Sequence, residues 1–103
     1  MLRKIQFEEI QEEEGYYRDV ARLHIDPPLD TALIKRIETI EGVGWVDDGV
    51  DYAAIRTVSP NVILLESNCG CIGFCREHGR QLISKILKIL KEEGEVAFSG
   101  FPL

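Results

Sequence analysis

The chain has 103 residues, 45% of them hydrophobic, 29% charged and 8% aromatic, which suits one small globular domain around a single core. No apolar run approaches the roughly 20 residues needed to cross a bilayer. The opening MLRKIQFEEIQEEEG lacks the apolar stretch and small-residue cleavage site of a secretory signal, so a cytoplasmic protein is expected. Twelve basic against 18 acidic residues leave a net charge of −6, which repels phosphate backbones, and neither nucleic acid nor a membrane is an expected partner.

The charge is unevenly spread. Residues 1 to 51 carry 13 acids and 6 bases, whereas residues 52 to 103 carry 5 acids and 6 bases, an asymmetry that would let neighbouring copies dock head to tail. Five glutamates fall within residues 8 to 14. A solvated hairpin tip accounts for them, and no function is assigned there.

Residues 2 to 10, with Ile5, Phe7 and Ile10 apolar, predict an edge strand, and Glu14-Gly15 a turn. From Tyr17 to Ile25 the alternation puts Tyr17, Ala21, Leu23 and Ile25 on one face and Arg18, Arg22 and His24 on the other, the pattern of a half-buried strand. Asp26-Pro27-Pro28 stops it, because proline brings no amide hydrogen to the ladder. Asp30 is then placed to cap a helix with the apolar stripe Leu33, Ile34, Ile37 and Ile40, ended by Gly42. Val43 to Val46 either adds a short strand or covers a sheet edge. Tyr52 to Val58 returning as Val62 to Glu66 through Ser59-Pro60-Asn61 predicts a hairpin, and the continuous run from Val62 to Leu65 predicts a central strand buried on both faces. Gln81 to Lys91, with Leu82, Ile83, Ile86, Leu87 and Leu90 on one stripe, predicts a second helix ending at Gly94. Residues 95 to 101 close the chain as a strand.

Strand, helix, strand, strand, helix, strand is the order of an α+β two-layer sandwich, with both helices on one face of an antiparallel sheet and an optional extra N-terminal strand. In this order, and in the segment LIKRIETIEGVGWV, the chain resembles the ferredoxin-like superfamily, specifically its heavy-metal-associated and ACT-type domains. The resemblance spans residues 17 to 98. It implies a βαββαβ fold, and from the ACT-type domains a dimer that takes small ligands at its interface. Heavy-metal-associated domains carry paired cysteines between the first strand and the first helix. Here that loop is Asp26-Pro27-Pro28-Leu29-Asp30, so copper-chaperone function does not carry over.

All three cysteines lie within seven residues as Cys69-x-Cys71-x3-Cys75-x2-His78, between a strand and a helix. Three thiolates and an imidazole are ligands that Zn²⁺ favours, and Gly70, Gly73 and Gly79 let backbone approach an ion closely. An iron-sulfur cluster completed by a second copy is the alternative metal reading. The spacing resembles the C-x3-C-x2-C loop of radical-SAM enzymes, but His78 takes the third position and the chain is too short for their barrel. Two other accounts stand beside a metal site. In one, the cysteines are packing residues continuing the stripe of Leu82, Ile86 and Leu90. In the other, Cys75 is a redox thiol favoured by a helix N-terminus and Arg76, with Cys71 or Cys69 resolving it. A hydrolytic Cys75 and His78 pair lacks an Asn or Asp partner and an evident oxyanion loop, so hydrolysis is not expected.

Further candidates follow from residue type alone. His24 is an exposed or interface histidine on a polar strand face. Trp45 either anchors an interface or closes the core, and Phe98, Phe101 and Leu103 form an apolar tail that pairs with a second copy or with the chain's own sheet. The expected protein is a small homodimeric metal-binding or regulatory protein; a small-ligand regulatory module or a thiol redox sensor is the alternative.

Overall fold

The computed structural model describes residues 1–10, 20–40, 51–69 and 76–102. In chain order the elements are β1 (Leu2–Ile10), β2 (Val20–Asp26), α1 (Thr31–Glu38), β3 (Asp51–Ser59), β4 (Val62–Cys69), α2 (Arg76–Lys91) and β5 (Glu95–Ser99). The strands form one sheet in the order β3-β4-β2-β1-β5. Expectations for Tyr17 and Arg18, for Glu14-Gly15, for Gly42 and for Val43 to Val46 lie outside the described residues.

Alternation explains which face each strand buries. Ile5 and Phe7 of β1, Ala21, Leu23 and Ile25 of β2, and Ile63 and Leu65 of β4 are buried together with Leu33 and Ile37 of α1 and the stripe Leu82, Ile83, Ile86, Leu87 and Leu90 of α2. This is the period-2 face of a sheet meeting the period-3.6 stripes of two helices. Among the described residues the interior is apolar except for Arg3 and Ser67; Arg3 donates from Nε to the carbonyl of Pro27 at 3.3 Å, which lets its aliphatic stem lie in the core beside the turn into α1.

Four expectations change. The sheet is mixed rather than antiparallel: β1–β2, β2–β4 and β3–β4 pair antiparallel, but β5 runs parallel to β1 from Leu2 opposite Glu95 to Gln6 opposite Ser99. The cause is β1, which is an interior strand and not an edge; it occupies the place beside β2, so β5 must add outside it. The run Val62 to Leu65 is not buried on both faces, since Ile63 and Leu65 are fully buried while Val62 and Leu64 stay half-buried on the side away from the helices. The closing strand stops at Ser99, two residues short, because Gly100 takes φ +94° and turns Phe101 back into the core.

The first helix has local reasons to begin and end. The Asp30 side chain accepts a hydrogen bond from the Leu33 amide at 2.8 Å, so the predicted cap satisfies one of the orphan donors of α1. The C-cap of α1 is Thr39, ahead of Gly42; its amide reaches the Lys35 carbonyl, and Lys35 and Arg36 occupy the last turn, where cations suit the helix dipole. Ile40 lies beyond the helix yet still packs on the core. The second helix begins at Arg76, five residues before the expected start, and so includes His78 and the buried Gly79.

The turns at one end of the sheet are tied together. Amides of Ile25 and Leu29 donate to the carbonyls of Asn61 and Pro60 at 2.7 and 2.8 Å. The β2–α1 connection, which contains a cis Asp26–Pro27 bond, is thereby held on the β3–β4 turn.

Candidate functional site

The cysteine-rich segment joins the opposite end of the sheet to a helix. Cys69 is the last residue of β4, in register with Asp51 of β3, and His78 is the third residue of α2. Cys71 and Cys75 lie outside the described residues. Strand and helix therefore hold the two ends of the segment, and the sequence supplies two further thiols between them.

His78 is half-buried, and its Nδ1 is sealed from solvent. An imidazole with one protected nitrogen in the first turn of a helix can serve as a metal ligand or as a core group. Among the described residues no group of three or more His, Cys, Asp or Glu side chains converges. The donor set is thus assembled by the sequence, and its described members are Cys69 and His78.

The first turns of α2 are strapped by the end of the chain. The guanidinium of Arg76 lies 5.9 Å from the centre of the Phe101 ring, and that ring sits 4.7 Å from Phe7 at an interplanar angle of 54°. One helical turn on, Arg80 donates from Nη2 to the Pro102 carbonyl at 3.4 Å. Arg76 and Arg80 lie two residues before and after His78 on α2, and both reach the chain's last described residues. Sequence reading did not assign these contacts to Phe101 or Arg80; the available signal was Gly100, a residue suited to a chain reversal just before an aromatic side chain.

The first turns of α2 carry two cations, Arg76 and Arg80, and one acid, Glu77.

Comparison with protein-family models, with curated proteins and with solved structures found no match for this chain.

The remaining candidates fall elsewhere. Phe101 is buried within its own chain and Phe98 packs partly against the same core, while Trp45 and Leu103 lie outside the described residues. His24 is on the sheet face away from the helices, with Nε2 3.3 Å from a Glu8 carboxylate oxygen and both side chains about half exposed. That face holds a hollow of about 460 Å³ lined by Lys4, Gln6, His24, Asp26, Val62 and Ala97, among others. No helix among the described residues is long and apolar enough to cross a membrane.

Proposed function

We propose that the protein is a small cytoplasmic metal-binding protein of accessory or regulatory type, holding Zn²⁺ through Cys69, Cys71, Cys75 and His78. The observation that carries this reading is the anchoring of a three-thiol segment between the end of β4 and a half-buried histidine in the first turn of α2. Three thiolates and one imidazole form the ligand set of a structural Cys3His zinc site, in which the ion closes a loop and no position is left for substrate. Bound zinc would supply cross-linking rather than catalysis. Arg76 and Arg80 would offset the surplus negative charge of three thiolates on one divalent ion.

The strand order also supports a ferredoxin-like core. β2-α1-β3 and β4-α2-β5 are two strand-helix-strand units, and β4 lies between β2 and β3. With β1 set aside, the remaining strands run β3-β4-β2-β5, an order compatible with a βαββαβ sandwich into which β1 has been inserted between β2 and β5.

Metal and acid-labile sulfide content of protein purified anaerobically without chelator, alongside thiol titration, tests the reading. One zinc per chain, no sulfide, and thiols that react only after chelation are expected; iron with sulfide would replace zinc by a cluster. Cys75→Ser and His78→Ala should each lower zinc affinity by at least about tenfold, as loss of a ligand requires. Equal metal content in wild type and both variants would reject the site.

The hollow on the open sheet face favours a second reading, a small-ligand module in which the cysteines are structural. Metal-free, fully folded protein with three freely titrating thiols is the outcome that would select it.

A further inference from the structure

We propose that the protein forms a two-fold symmetric dimer by pairing β5 with the β5 strand of a second copy, antiparallel and centred on Ala97. Among the described strands, β5 is one of two at the sheet margin. The two margins differ. In β3 the register with β4 shifts between Thr57 and Ser59 and the strand carries Asp51 and Arg56, features that discourage a further strand. The residues of β5 are Glu-Val-Ala-Phe-Ser, without proline, lysine or register shift, and the one charge is at its first position.

Backbone geometry decides which groups this edge offers. The Glu95 amide donates to the Met1 carbonyl at 3.2 Å, so Glu95, Ala97 and Ser99 turn their backbone groups toward β1. Successive residues of a strand face opposite sides, and Val96 and Phe98 therefore turn N–H and C=O outward. An antiparallel pair centred on Ala97 sets Val96 against Phe98 of the partner subunit and Phe98 against the partner's Val96. Both are then hydrogen-bonded pairs, and all four outward N–H groups find carbonyl acceptors.

Side chains agree with that register. Val96 and Phe98 lie on the helix side of the sheet, partly buried against the core; cross-strand aliphatic-aromatic pairing covers what remains exposed. Ala97 meets the partner's Ala97 as a non-hydrogen-bonded pair, where side chains come closest and a methyl group fits. Glu95 opposes Ser99 of the partner subunit, so the two carboxylates sit at opposite ends and do not meet. The strand is self-complementary in hydrogen bonding, apolar contact and charge.

Sedimentation equilibrium of the full chain under reducing conditions, across micromolar concentrations, tests the proposal. The expected mass is twice the 11.7 kDa of one chain. Val96→Pro removes an outward donor and no bond to β1, and should raise the dimer dissociation constant by about tenfold or more. Ala97→Lys places two like charges across the two-fold axis on an exposed face and should do the same. Circular dichroism matching the wild type confirms that each variant is folded, and Ala97→Lys serves if Val96→Pro does not fold. A monomer throughout the range, or a dimer indifferent to a folded variant at either position, would overturn the proposal. This dimer does not depend on whether the cysteine segment binds metal.

Discussion

Arg76 and Phe101, 25 positions apart in the chain, meet with the guanidinium 5.9 Å from the ring centre, and through Phe7 the contact runs on into the sheet. The residue that starts α2 is thus fixed to the last aromatic side chain of the protein. The contact joins two segments that only the assembled fold brings together.

Phe101→Ala should cost about 3 kcal/mol of folding stability, because a buried ring is lost from an otherwise apolar site that cannot fully collapse. Urea unfolding measures it. Arg76→Gln leaves the ring in place and should cost about 0.5 kcal/mol, since the guanidinium is exposed. Equal losses in the two variants would contradict this division of the contact.

Gly100→Ala should destabilise by more than about 1 kcal/mol. At φ +94° an added Cβ would stand 2.5 Å from the Phe7 carbonyl oxygen, a backbone atom that cannot swing aside. Thermal unfolding of the variant provides the check, and an unchanged midpoint would show that the chain reversal can be built another way.

Replacing Asp30 separates capping from charge. Asp30→Ala removes the acceptor for the Leu33 amide and should cost about 1 kcal/mol, whereas Asp30→Ser, which keeps an acceptor, should lose only a few tenths of that. Denaturant midpoints at equal slope would report both.

Glu92→Gln is expected to change stability by less than about 0.5 kcal/mol, although the carboxylate lies 2.6 Å from Arg36. Both side chains are roughly half exposed, and water screens such a pair while side-chain ordering opposes it. A loss above 1 kcal/mol would mean that the α1 to α2 junction depends on this bridge.

Much of the candidate site was legible because its chemistry is local. The spacing of Cys69, Cys71, Cys75 and His78 needs no fold to be noticed, and Asp30 announces its cap by standing before a 3.6-period stripe. The early start of α2 was legible only in part: the apolar stripe by itself begins at Leu82, only the redox account set a helix N-terminus at Cys75, and the burial of Gly79 follows from the fold. Phe101 read as a tail for pairing because an apolar residue after a strand has the same appearance whether it enters its own core or a neighbour's. Arg3 gave no sign of burial, as its charge predicts solvent unless a carbonyl such as that of Pro27 is brought to it.

By itself the sequence determined where the main helices and strands lie and, for β1, β2, α1 and α2, which face is apolar, since these follow from side-chain periods that repeat within one element. Tertiary structure alone decided strand neighbours. β1 has the same alternation whether it lies at the margin or inside, and nothing in Leu2–Ile10 states that β2 takes one side and β5 the other. Pairing is a relation between segments distant in the chain, chosen by loop closure and by how two helices cover one face. For that reason the parallel β1–β5 pair, the contact of Arg76 with Phe101 and the place of β5 at the margin of the described strands emerge only once the layers are assembled.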